Sequence, residues 1–254
     1  MCKAFSCIIE SNKKVTWKMG IDSHDHLLKI AGLPDDTLDP AQIRFCRIEI
    51  APKNGSYLEP DEWIFKIDMD VTPAWWTLDH KKACLEAHKK WLKELDKILV
   101  RKPIVHPFKI EPPKLITEEH LTLLREWTSV RDSVRASVRD SVRDSVWDSV
   151  WDSVGNSVRD SVWASVRDPV GASVWAYYGS FFALPRNEWK YTEEIKTDQY
   201  PFLSVVKLWE MGLVPSFDGK KWRLHAYSDA RVVWSGTIER TQSKQAGEQE
   251  ANHD

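Results

Sequence analysis

Four places in this chain bring together side chains whose types and spacing could do chemistry. Cys2 follows the initiator methionine, and removal of Met1 would leave an N-terminal cysteine with its own amine as base, one route to an activated nucleophile. The plainer reading is an early strand residue. His80, Cys84 and His88 recur at intervals of four, so two adjacent members on a helix would face one Zn²⁺. Cys84 also falls in an apolar stripe, which suits a buried structural thiol equally well. His24 and His26 form a second cluster within Ser23-His24-Asp25-His26. A helix begins there, and N-capping accounts for Asp22 and Ser23 without any metal. Finally, Arg131, Arg135, Arg139, Arg143, Trp147 and Trp151 recur every four residues. Stacked in a row, guanidinium and indole groups suit bases and phosphates through stacking and cation–π contact.

None of these amounts to a catalytic or cofactor signature. An enzyme is therefore the less favoured expectation, and no cofactor is expected.

The elements that must position these residues fall into five stretches: an α/β head over 1–100, a proline-rich linker over 101–116, a helix and repeat over 117–184, a C-terminal helix with a β-meander over 185–238, and a disordered tail over 239–254. In the head, strands are expected over 3–10, 14–19, 44–50 and 63–67, with a short helix stopped by Gly32. The clearest helix spans 77–99, with Cys84, Ala87, Trp91, Leu95 and Ile98 on one face. Pro103, Pro107, Pro112 and Pro113 then interrupt regular structure. A later helix over 201–211 should close at Gly212. Turns at Asp218-Gly219 and Ser228-Asp229 divide the meander.

The chain has 254 residues, ample for one or two cores, and 42% hydrophobic with 29% charged residues is ordinary globular composition. A net charge of −2 gives no bulk attraction to nucleic acid or anionic membrane. No apolar run reaches the roughly 18 residues of a membrane span, and the first ten residues are too short for a secretory signal. The four cysteines lack metal-type spacing, so reduced thiols in a cytoplasm are expected.

Residues 129–176 repeat the pattern Ser-Val-x-Asp. Valine recurs every four residues from Val130 to Val174, and serine precedes each one except Val170, where Pro169 stands. The x position is Arg, Trp or Gly. An invariant valine beside so varied a neighbour marks valine as buried and x as exposed. In one long helix the valines would drift about 40° per repeat and spiral around it, and Pro169 would break it. The favoured expectation is therefore a β-solenoid with valine inside and Ser and Asp at its corners, in an α+β fold. Short helices are the alternative. The variety at x has a competing origin, because Arg, Trp and Gly codons interconvert by single base changes. The segment also holds six arginines against seven aspartates, a self-neutralised surface that does not favour nucleic acid.

The opening MCKAFSC, the WKMGIDSHDHLL segment and the SVRDSVWDSV tract resemble uncharacterised proteins of bacteriophages and other mobile elements. The resemblance implies viral or prophage origin, hence a host cytoplasm, and carries over no functional residue. The leading functional expectation is a non-enzymatic scaffold or binding protein, its solenoid holding two folded ends apart and partners docking on the Arg/Trp face. The partner would be an unknown protein or small ligand, with no membrane involved and a homodimer formed through a coil end. The alternatives are a nucleotide or oligonucleotide sponge and an enzyme using Cys2 or the histidine cluster.

Overall fold

The computed structural model describes residues 5–34, 42–53, 57–59, 62–146, 148–162 and 171–238. Cys2, Trp147, Pro169 and the tail from 239 onward, all of which carried expectations, lie outside the described residues.

Strands β1 (Phe5–Glu10), β2 (Val15–Thr16), β3 (Phe45–Pro52) and β4 (Trp63–Ile67) form an antiparallel sheet in the order β2-β1-β3-β4. Alternation divides its faces. Ile8 and Phe45 face helix α1 (His24–Ala31), where Leu27 and Leu28 meet them, and the left-handed Gly32 ends that helix. Phe5, Cys7, Ile9, Cys46, Ile48 and Ile50 face the main core with helix α2 (Leu78–Leu95), which contributes Cys84, Ala87, Trp91 and Leu95.

The repeat is not a solenoid. It forms helices α3 (Glu118–Val130), α4 (Val134–Ser145), α5 (Asp148–Val162) and α6 (Gly171–Gly179). The coil end drawn as a dimer surface goes with the solenoid. The nine repeat valines whose surroundings are described are nevertheless all buried, none more than 7% exposed. Breaking the helix reconciles the two facts. Three valines within α4 drift by about 80° in all, which still fits one apolar stripe. Val146 then takes an extended backbone, φ −129° and ψ 159°, and α5 starts with its phase reset. The interval that forbids one long helix permits a series of short ones.

The serines preceding the valines are small enough to enter the interface, and they bind its neighbours. The Ser153 hydroxyl accepts from the Tyr57 backbone N–H of the head at 3.3 Å, and Ser141 accepts from the Lys190 N–H at 2.8 Å. Ser173 donates to the Pro215 carbonyl at 3.5 Å. The repeat therefore packs against both ends of the chain rather than holding them apart.

The C-terminal part comprises helix α7 (Leu203–Glu210) and strands β5 (Val214–Phe217), β6 (Trp222–Ala226) and β7 (Arg231–Gly236), an antiparallel meander in that order. The proline-rich stretch lies against it as a strap. The Val100 N–H donates to the Phe181 carbonyl, and Pro107 and Phe108 are buried. Gly212, at φ +75°, closes α7 in a left-handed conformation that strains any side chain, and a Cβ there would sit 3.2 Å from the strap carbonyls of Pro107 and Ile110. No helix among the described residues is long and apolar enough to cross a membrane.

Candidate functional site

Two cavities share one wall, the indole of Trp175. The first, about 300 Å³, opens between α5 and α6 and is lined by Trp151, Asp152, Gly155, Asn156 and Arg159 on one side and Trp175 and Tyr178 on the other. The second, about 430 Å³, lies between α4 and α6, lined by Arg131, Asp132, Arg135, Gly171, Ala172 and Trp175.

The repeat builds this arrangement directly. Ser173 and Val174 face the core, which turns Trp175, the next x position, into the space between helices. Trp151, Trp175 and Tyr178 form an aromatic cluster, with Trp151 and Tyr178 edge-to-face at 4.7 Å between centroids and the two indoles 6.2 Å apart. Tyr178 donates its hydroxyl to the Trp151 carbonyl at 2.7 Å. Gly155 lines the cavity beside that contact, and a Cβ there would just touch the Tyr178 oxygen at 3.4 Å. Burial pushes the Tyr178 phenol far above its ordinary range, so it remains a donor.

The guanidiniums lie on the second cavity. Arg135 lies 5.8 Å from the Trp175 ring centroid, while Arg131 lies 6.0 and 5.9 Å from the rings of Phe217 and Trp222. Of the six residues expected to form a ladder, Arg131, Arg135 and Trp151 thus line the cavities. Arg139 pairs with Asp140 at 2.6 Å, and Arg143 is exposed and lines neither cavity. With no coils to stack, the described members form no continuous ladder. Trp175 and Tyr178 were missed from sequence. Trp175 occupies the x position of the last tetrad, a signal already present, whereas Tyr178 lies beyond the repeat and carries no such signal.

The other candidates disperse. His26 is exposed and His24 buried, since residues two apart on a helix diverge. His80 completes a capping box: its Nδ1 accepts from the Thr77 N–H at 3.1 Å, and its Nε2 donates to the Ser11 carbonyl at 3.1 Å. Both ring nitrogens are committed, which leaves none for a metal. Thr117 and His120 repeat the device on α3. Cys84 is a buried free thiol beside Cys7 and Cys46. A hydrogen bond to Cys84 and burial push the Cys7 thiol well up, and burial takes Cys46 up to about 12. The Cys7 and Cys46 thiols therefore remain protonated and poorly nucleophilic.

His88 stands among Phe5, Trp63 and Trp91 with ring centroids at 5.2, 5.2 and 6.0 Å. Its Nε2 and the Trp63 Nε1 are buried, with no partner among the described residues. Burial pushes its pKa down to about 4. The unfolded chain, titrating near 6.5, therefore takes up a proton that the folded state refuses. Stability is full above about pH 6.5 and falls as pH drops toward 4, by on the order of 2–3 kcal/mol. His106, lowered by burial and by Lys109, adds in the same direction. Urea midpoints should fall between pH 7 and 5 in the parent protein and fall less in His88→Phe. An equal fall in both proteins would remove His88 as the cause.

No protein-family model matches the chain, and no curated protein or solved structure matches it either.

Proposed function

We propose that this chain is a binding protein for a small nucleotide, held in the twin cavity around Trp175. The observation that carries the proposal is the placement of one indole between an aromatic cavity and a cationic one. A base can lie in the first, against Trp151, Trp175 and Tyr178, where stacking on an aromatic face is worth about 1–3 kcal/mol. Its phosphates would then meet Arg131 and Arg135 in the second, where guanidiniums bind phosphate oxygens in pairs. A volume of about 300 Å³ in the first cavity and about 430 Å³ in the second suits a ligand of that size.

Charge favours a single nucleotide over a polymer. The cavity walls hold three arginines against two aspartates, but the chain as a whole carries −2 and offers no long basic track. No cysteine, histidine or lysine lines either cavity among the described residues, which supports retention of a ligand over its conversion. Sequestration in a cytoplasm, that of a host if the gene is viral, is the setting this reading fits.

Tryptophan fluorescence and thermal shift of the full chain, titrated with AMP, ATP, adenosine and inorganic pyrophosphate, provide the test. Saturable quenching by a nucleotide is expected, weakened when either base or phosphate is missing. Trp175→Ala should weaken binding at least tenfold, and Gly155→Trp, which fills the aromatic cavity, should abolish it. Arg135→Ala should cost about tenfold, the value of one charge-assisted contact. No binding by any nucleotide, or equal binding by Trp175→Ala, would overturn the proposal.

A further inference from the structure

We propose that His24, Glu49 and Asp68 form a binding site for a divalent transition-metal ion of the Zn²⁺ type, with Ser6 next to Glu49 on the neighbouring strand. It lies on the α1 face of the first sheet, separate from the cavities around Trp175. One ligand atom from each of His24, Glu49 and Asp68 lies within 4.8 Å of the other two.

The histidine geometry is the first argument. His24 Nε2 lies 3.1 Å from the Ile48 carbonyl oxygen. A carbonyl only accepts, so Nε2 carries the hydrogen and Nδ1 presents its lone pair when the ring is neutral. That lone pair faces Asp68 Oδ2 at 3.4 Å. Two electron-rich atoms so placed need a positive centre between them, a proton or a metal ion. The separation is long for an N–H···O bond, which centres near 2.9–3.0 Å. It matches the span across a tetrahedral ion, since ligands about 2.1 Å from the metal lie about 3.4 Å apart. The second nitrogen fixed by a backbone carbonyl is also the usual support of a metal-binding imidazole.

Ser6 is the second, independent argument. It is paired directly with Glu49 in the β1–β3 register, so both side chains leave the sheet on the same face. Ser6 is only 2% exposed, and its Oγ has no hydrogen-bond partner among the described residues. A buried hydroxyl without a partner costs about 1–3 kcal/mol, and an ion or its bound water would remove that cost. One imidazole with two carboxylates suits Zn²⁺ or Mn²⁺ better than Mg²⁺ or Ca²⁺, which prefer oxygen throughout.

Two cations compete for the same carboxylates. Lys66 Nζ lies 2.9 Å from Asp68 Oδ1, and the Arg47 charge is close to Asp68. The Lys66 side chain is 63% exposed, so its ammonium can swing into water when a metal arrives. A metal site and a plain ion-pair network thus differ in their response to loss of Lys66.

The test is uptake of Zn²⁺ by the full chain after chelation and dialysis, followed by calorimetry and metal analysis, with Co²⁺ as a spectroscopic substitute. One equivalent is expected. Asp68→Asn and Glu49→Gln should each weaken uptake at least tenfold with circular dichroism unchanged, and Lys66→Ala should tighten it severalfold. These variants are preferred because His24 is buried and its removal risks the fold. Co²⁺ should give weak visible bands without thiolate charge transfer. Absence of uptake, uptake that survives Asp68→Asn, weaker uptake in Lys66→Ala, or a thiolate band marking the buried cysteines would each overturn the proposal.

Discussion

Gly179→Ala should destabilise the protein by on the order of 3 kcal/mol, an unusually large effect for one added methyl group. Gly179 ends α6 where α4 crosses it. A Cβ at that position would overlap the hydroxyl of Tyr200 and lie 2.8 Å from Val138 Cγ2. Val138 is fully buried and cannot retreat. Tyr200 would have to move, and its hydroxyl now donates to the Ala176 carbonyl at 2.7 Å while its ring packs edge-to-face on Trp189 and Phe202. The cost therefore combines overpacking with a lost hydrogen bond of about 1 kcal/mol. Thermal unfolding should fall by about 6–12 °C in a chain of this size. Gly171→Ala is the control. No atom of the described residues lies within 4 Å of its added methyl, so that variant should match the parent or gain slightly. Equal melting of the two variants would show that α4 and α6 do not meet closely.

That crossing explains why the repeat resisted reading while the elements around it did not. In α2, Cys84, Ala87, Trp91 and Leu95 mark a stripe at helical spacing, and the sequence shows it without help. The meander is equally open, because Asp218-Gly219 and the alternation of Trp222, Leu224 and Ala226 declare turn and strand. A period of four matches neither helix nor strand. The deciding feature is where the helix breaks, and nothing in the tetrads around Val146 distinguishes that valine from Val142 or Val150. Burial against the head and the C-terminal part selects the break, and those contacts come from distant residues such as Tyr57 and Lys190. Local sequence fixed the inside and outside of each tetrad, but not the path of the chain.

The candidate sites divide in the same way. Arg131, Arg135 and Trp151 were legible because the x position is exposed in any regular structure. Their meeting with Trp175 and Tyr178 was not, because it depends on α6 lying beside both α4 and α5. His24 was legible as a candidate ligand, but with the wrong companion. His26 is near in sequence and diverges on the helix, whereas Glu49 and Asp68 arrive from β3 and the residue after β4. The sheet brings together what sequence separation concealed.

Trp209→Ala should have the largest effect of any single substitution considered, about 4–5 kcal/mol. Trp209 is fully buried on α7, stacked on Tyr177 at 5.0 Å with 14° between the rings, and it donates its indole N–H to the Val105 carbonyl at 2.9 Å. Tyr177 completes the clamp, for its hydroxyl accepts from the Val105 N–H at 2.7 Å. The two polar groups of one strap residue are therefore satisfied by two stacked aromatic rings, one from the end of the repeat and one from α7. Truncating Trp209 opens a cavity, removes the stacking and leaves the Val105 carbonyl without this donor. Trp209→Phe keeps a ring but loses the donor, and should cost about half as much. Tyr177→Phe should cost about 1–3 kcal/mol, because it leaves the Val105 N–H without this acceptor. Since both side chains act on one peptide residue and on each other, the double variant should fall short of the sum of the singles, by on the order of 1 kcal/mol in a double-mutant cycle. Guanidinium unfolding midpoints measure all four proteins. Strict additivity would mean that the strap is held elsewhere, and a Trp209→Ala loss below about 2 kcal/mol would mean that the core closes over the space the indole leaves.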